Sequence, residues 1–144
     1  MKNLFILTAF LLSCNLSFSQ EEISLFDSKG KAVAYIDLED MTIYLWQGKP
    51  VAYISQSNGD YHIYGFNGKH LGWFIKGIIR DHDGDAIGST KDATSTFKEY
   101  EPYKGYKEYK PYKSYKEYAP YKPYLSTSWS KTNFKLFLIQ GVDD

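Results

Sequence analysis

Four glycine-centred segments of this chain align residue for residue, and no other feature restricts its fold as tightly. They are Leu25–Tyr35, Ile43–Tyr53, Ile63–Trp73 and Ile79–Ser89, brought into register by Gly30, Gly48, Gly68 and Gly84. The glycines lie 18, 20 and 16 residues apart (48 − 30, 68 − 48, 84 − 68). In each segment a β-branched or aromatic run precedes a turn pair: Lys29-Gly30, Gln47-Gly48, Asn67-Gly68 and Asp83-Gly84. Asn-Gly and Asp-Gly are strong hairpin signals, because a tight turn needs positive φ where glycine carries no Cβ. A second run follows, with Val33, Val51, Leu71 or Ile87 three residues after the glycine. Each unit therefore reads as a β-hairpin, and four units make about eight short strands. Pro50 belongs near a strand start, where no ladder donor is needed.

A single hairpin does not fold alone, but four packed around an axis can bury a common core. A small residue recurs four positions after each glycine: Ala34, Ala52, Gly72 and Gly88. An aromatic follows it in three units, at Tyr35, Tyr53 and Trp73. This placement predicts a crowded ring where backbones approach the axis, with the aromatics filling the layer beside it. The repeated x-Gly-Lys-x-[Val/Leu]-[Ala/Gly]-[Tyr/Trp] hairpin resembles the 4-fold β-flower family of small bacterial proteins. The resemblance covers about Ile23 to Thr90, and the fourth unit departs from it by lacking the lysine and the aromatic. It implies a shallow, square, barrel-like all-β fold of a kind likened to tubby-type, lipid-associated domains. It supplies neither an activity nor site residues.

The expected organisation has four parts. Residues 1–19 form a signal peptide, 20–92 the four-hairpin domain, 93–124 a Tyr/Lys/Pro low-complexity segment, and 125–144 a C-terminal strand returning to the domain. Met1-Lys2-Asn3 is a short positive region, Leu4 to Leu12 is apolar, and Ser17-Phe18-Ser19 places small residues before Gln20. These are the three parts of an export signal. The apolar run falls short of the ~20 residues that span a bilayer. Leu11 to Cys14 also resembles a lipobox, which would make Cys14 a lipid anchor. Leu12 fits the second position of that motif poorly, so cleavage before Gln20 is the preferred reading. It leaves a chain of 144 − 19 = 125 residues without a cysteine, excluding disulfides, zinc–thiolate sites and thiol nucleophiles. The signal and the Gln20 start look like those of Bacteroidota envelope proteins, with the periplasm, the outer-membrane surface or the medium as the expected location.

The formal charge of zero conceals a division. Gln20–Asp92 holds seven Lys/Arg against eleven Asp/Glu, whereas Ala93–Tyr124 holds seven Lys against four Glu. The basic segment is expected to meet an anionic surface or to fold back on its own acidic domain. Neutral overall charge and export both argue against nucleic acid as a partner.

From Tyr100 onward a tyrosine stands at every third position: Tyr100, Tyr103, Tyr106, Tyr109, Tyr112, Tyr115, Tyr118, Tyr121 and Tyr124. Lys104, Lys107, Lys110, Lys113 and Lys116 keep the same interval, and a nine-residue period is superimposed. Period three with recurrent proline suits polyproline II, which would align the rings on one edge and span on the order of 74 Å at ~3.1 Å per residue. The segment reads either as a low-complexity linker or as a contact surface. Interleaved phenol rings and ammonium groups suit lipid headgroups, glycans or a partner protein. Beyond it, Phe134, Leu136 and Leu138 alternate with Lys135, Phe137 and Ile139, predicting a strand.

Asp81-His82-Asp83-Gly84-Asp85 does not have the spacing of an EF-hand loop and is read as the fourth, exposed turn. His70 shares a variable slot with Ala32, Pro50 and Ala86, and is expected at a tolerant surface position. With no nucleophile elbow, zinc motif or phosphate loop, neither metal, cofactor nor catalytic residues are expected. The expected function is a non-enzymatic envelope or secreted binding module, in which the hairpin domain is the scaffold and the Tyr/Lys segment the contact surface. A structural, adhesive role is the alternative, and a small hydrolase the third reading.

Overall fold

A computed structural model describes residues 22–143. The expected signal peptide, its cleavage before Gln20 and Cys14 fall outside the described residues. Eight antiparallel strands run in sequence order: β1 (Glu22–Phe26), β2 (Ala32–Asp37), β3 (Thr42–Leu45), β4 (Pro50–Ser57), β5 (Asp60–Gly65), β6 (His70–Ile75), β7 (Ile78–Arg80) and β8 (Ala86–Ser89). Each strand pairs with the next, and Phe26 opposite Ser89 joins β1 to β8, closing the barrel. Closure removes the free edges that an open sheet would offer for aggregation.

The repeat produces one local geometry four times. Gly30, Gly48, Gly68 and Gly84 have φ of +82°, +106°, +90° and +85°. Each donates its N–H to the carbonyl three residues earlier, in Asp27, Leu45, Gly65 and Asp81, at 2.8–3.0 Å. Beyond each turn the ladder skips one residue: Leu25 pairs Ala34 but Phe26 pairs Ala32, leaving out Val33. Val51, Leu71 and Ile87 are skipped in the same way. A bulge bends its strand and increases the local twist; four in equivalent positions curve the sheet evenly into a barrel. The turns between units are a separate set, with positive φ at Met41, at Asn58-Gly59 and at Lys76-Gly77. Two adjacent left-handed residues make a tight hairpin turn; Asn58-Gly59 was a legible signal for one that the repeat alignment passes over.

The inner face is aliphatic. Leu25, Ile43, Ile63 and Ile79, each five residues before its glycine, are all fully buried and form one layer of the main core. Ala34 and Ala52 are equally buried in the same cluster. Because neighbouring strand residues face opposite sides, the aromatics after the small residues point outward. Tyr35, Tyr53 and Trp73 do not fill a core layer beside the small-residue ring, as expected; they lie outside the main core cluster on the outer wall, buried beneath another part of the chain.

The C-terminal segment is also corrected. Residues 134–139 form a helix, α1 (Phe134–Ile139), not a strand. Asn133 accepts the Leu136 N–H with its side chain at 3.1 Å, a local cap that alternation does not reveal. Phe134, Phe137 and Leu138 are buried in the barrel's core cluster, whereas Leu136 is exposed. The i, i+3, i+4 spacing of a helix therefore wins over the period-two reading of the same residues. The expected return to the domain does occur: Ser128 and Ser130 bond to Ala86 at the rim, and Asn67 bonds to Gln140 and Asp143 carbonyls at 2.7 Å.

The helix supplies much of the crowding at the small-residue ring. A Cβ on Gly88 would run into the Phe134 ring, and one on Gly72 would strike the Arg80 carbonyl of the adjacent strand and touch Phe137. Leucine at position 72 is expected to cost about 1–3 kcal/mol by overpacking, read as a lower denaturation midpoint. A midpoint equal to that of the parent would contradict this role.

Candidate functional site

Residues 99–126 run around the outside of the barrel, in neither helix nor strand, and dock on each hairpin in turn. The N–H groups of Glu99, Glu108, Glu117 and Ser126 donate to the carbonyls of Gly30, Gly48, Gly68 and Gly84 at 2.8, 2.9, 2.9 and 3.1 Å. The four donors are nine residues apart, so the nine-residue period of the segment is the spacing from one hairpin to the next. Gly105 and Ser114, also nine apart, donate to Trp46 and Phe66 at 3.0 and 2.8 Å. A segment that read equally as a linker is a belt fastened at regular stations.

Close approach explains the turn glycines a second time. A Cβ on Gly30, Gly48, Gly68 or Gly84 would collide with the carbonyl oxygen of Phe97, Tyr106, Tyr115 or Tyr124, again at nine-residue intervals. Side chains reinforce the docking: Trp46 donates Nε1–H to Pro102 O and Tyr64 its hydroxyl to Glu117 O, both at 3.0 Å. In the divergent fourth unit Arg80 stands where the others carry Phe26, Tyr44 or Tyr64, and donates to Ser126 O at 2.6 Å. At this slot, four residues before the glycine, a charged clasp on the belt stands in place of an aromatic ring.

The lysines and tyrosines face opposite ways. Lys104 Nζ lies 4.7 Å from the Tyr35 ring centre and 4.9 Å from that of Trp46. Lys107 sits 5.5 Å from Tyr44, Lys113 4.2 Å from Tyr53, and Lys116 5.5 Å from Tyr64. Each ammonium is attracted to the electron-rich face of a ring. Carboxylates complete the inward charge: Lys104 pairs with Glu22 at 2.9 Å, Lys107 with Glu22 and Asp37 at 2.9 and 2.8 Å, Lys110 with Asp40, and Lys122 with Asp60 at 3.1 Å. Burial raises the Glu22 carboxyl, but the bonds from Lys104 and Lys107 outweigh it and leave the group below its usual range. Burial likewise opposes the charge of Lys107, and Asp37 and Glu22 overcome it, raising that amine. Tyr35, covered by the belt and close to Glu22, is pushed up to about 12. The acidic domain and the basic segment thus satisfy one another.

The nine tyrosines from Tyr100 to Tyr124 project into solvent, with exposures from 92 to 102%. Of the sequence-selected contact residues, the tyrosines form the outer row and the lysines the fastening beneath it.

A second grouping escaped the residue-by-residue reading. His70 is not at a tolerant surface; it is 2% exposed, and Ala32, Pro50 and Ala86 of the same slot are buried too. That slot faces outward, but the belt and the C-terminal segment cover it. His70 Nε2 meets His62 Nδ1 at 2.9 Å, and His70 Nδ1 meets His82 Nε2 at 3.0 Å, so all three histidines of the sequence form one chain. Glu117 of the belt accepts the His70 backbone N–H at 2.7 Å. Beside this chain is a groove of about 600 Å³ between His62, Tyr64 and Trp73 and the belt residues Lys116–Lys122. Burial first, and then the neighbouring His82 and His62, lower His70 to about 4. The shared register, invisible in a list of scattered histidines, is what joins them.

Asp81, Asp83 and Asp85 gather carboxylate oxygens within 4.8 Å of one another. Asp81 Oδ1 accepts the N–H groups of Asp83 and Asp85, as Asp27 accepts those of Lys29 and Lys31 in the first unit. Asp85 accepts the Ser126 hydroxyl at 2.5 Å. These carboxylates shape the turn and hold the end of the belt.

These features define a closed four-hairpin barrel girdled by its own C-terminal segment and entered by a short helix. The chain belongs to the 4-fold beta flower protein family, whose profile matches residues 23–138. That match extends well past the hairpins that carry the sequence resemblance, taking in the belt and most of α1. No curated protein and no solved structure matches the chain.

A belt fastened in this way should shield its own lysines from trypsin. Alanine at Gly48 would combine left-handed strain with the collision at Tyr106 O, a cost of ~1 kcal/mol or more. The Gly48→Ala protein is expected to be cut after Lys104, Lys107 and Lys113 far faster than the parent, with the barrel fragment surviving. Equal cleavage rates would argue against docking at this station.

Proposed function

We propose that this protein is an exported, non-enzymatic interaction module of the envelope or the extracellular space, its barrel the scaffold and its tyrosine belt the contact surface. One observation carries this reading: nine phenol rings, each at least 92% exposed, ride on a backbone anchored to four hairpins. Buried and half-buried tyrosines normally serve the fold, and contact surfaces are enriched in this residue. Here the fold is served by a different set, Tyr35, Tyr44, Tyr53 and Tyr64, leaving the outer rings unengaged by the barrel. Export rests on the charged, apolar and small-residue stretches of the first nineteen positions.

The test is capture of envelope material by the parent and by a variant with Tyr103, Tyr106, Tyr109, Tyr112 and Tyr115 changed to serine. The rings make no contribution to the core, so the variant should keep the parent's circular dichroism and melting curve while losing most of the captured material. Undiminished capture would move the contact surface away from the belt.

A further inference from the structure

We infer that the ligand of the tyrosine belt is a neutral polysaccharide whose sugar rings stack on successive phenols, an assignment that rests on the belt being the contact surface. Regular spacing is the first reason. In an extended three-residue turn, one tyrosine follows another at about 9 Å, and the stations on Gly30, Gly48, Gly68 and Gly84 hold that spacing in place. A row of equivalent platforms suits a polymer that repeats the same face along its length. A sugar ring presents a C–H face to an aromatic ring, and the phenol hydroxyl can bond the hydroxyls at the sugar's edge.

Charge is the second reason, and it separates this ligand from the other candidates. Anionic polymers, anionic lipid surfaces and single-stranded nucleic acids all need a positive track beside the rings. The lysines that would supply it point inward. Lys104, Lys107, Lys110 and Lys122 meet Glu22, Asp37, Asp40 and Asp60, while Lys113 and Lys116 lie on the Tyr53 and Tyr64 rings. Apolarity is the third. Between Glu99 and Tyr124 there is no Leu, Ile, Val, Met, Phe or Trp, so the outer row has nothing to insert into a hydrocarbon layer.

The experiment is affinity electrophoresis of the protein in gels containing hydroxyethylcellulose, mixed-linkage β-glucan or mannan, with alginate as the anionic control. Flotation with phosphatidylglycerol vesicles runs in parallel. The expected result is retardation by at least one neutral polysaccharide, nearly unchanged by added salt, and weakened at least ~tenfold by Tyr106→Ser, Tyr109→Ser and Tyr112→Ser together. Retardation by alginate alone, or flotation with vesicles, lost in salt, overturns the assignment. So does neutral-polysaccharide binding that the serine variant retains. If no neutral polysaccharide retards the protein but the serine substitutions still abolish capture of envelope material, the belt stands as the contact surface and only the ligand class is wrong.

Discussion

Truncating Phe134 to alanine is expected to destabilise the protein by about 3–5 kcal/mol, the range for removing a large aromatic from a packed interior. Its ring is 2% exposed and belongs to the same cluster as the inward aliphatics of the barrel. Six residues cannot sustain a helix in water by themselves, so α1 is held by what it buries, and loss of one anchor should loosen the rest. Gly88 provides an internal control, because a Cβ there would meet the Phe134 ring. Gly88→Ala should be harmful in the parent and milder in the Phe134→Ala background. A coupling of about 0.5–3 kcal/mol is typical of residues in contact. Urea denaturation followed by tryptophan fluorescence gives all four stabilities. A Phe134→Ala protein within ~1 kcal/mol of the parent would show that the barrel closes its core without the helix.

The second large effect is acid sensitivity centred on His70. Its folded value of about 4 lies below the ordinary 6.5, so the unfolded chain binds a proton that the folded chain refuses. The associated stability is complete above pH 6.5 and is lost as the pH falls towards 4. The full difference is on the order of 3 kcal/mol, with about 2 kcal/mol already lost between pH 7 and pH 5. Protonated His70 must donate from both ring nitrogens, which requires acceptors at His62 Nδ1 and His82 Nε2. Glu117 of the belt accepts the backbone N–H of His70, and Lys116 lies over Tyr64. The lowered carboxylates of Glu22 and Asp40 also lose their contribution in acid, but below their usual values near 4.5 and 3.8. Denaturation curves at pH 7 and pH 5 therefore separate the histidine from these carboxylates. His70→Gln should flatten the dependence in this window, and a slope equal to the parent's would remove His70 as its source.

Much of the scaffold was legible because a repeat states each instruction four times. One Asp-Gly or Asn-Gly pair specifies one turn, but four glycines in register imply four hairpins, and four hairpins that cannot fold singly imply a shared core. The expected crowding at Ala34, Ala52, Gly72 and Gly88 followed from the same alignment, although alternation put the aromatics beside them on the outer wall. The belt was legible as a period and not as a place. A three-residue interval shows that tyrosines share one edge and lysines another, but nothing local says which edge faces the barrel.

Three features were decided only in three dimensions. The residues of α1 alternate in polarity well enough for a strand, and helix wins because Phe134, Phe137 and Leu138 then share one face and enter the barrel. His70 looked tolerant because its slot varies among units; it is buried because the belt passes over it. The lysines looked available to an outside partner until the folded domain set aromatic rings and carboxylates beneath them. By itself, the sequence determined the hairpins, their number and the periodicity of the segment that follows. Those are consequences of φ preference, side-chain alternation and repetition, all of which act over a few residues. Only the tertiary structure decided which face of the belt is spent on the fold and which is left in solvent. That choice depends on contacts such as Lys107 with Asp37, seventy residues apart, which no local rule can anticipate.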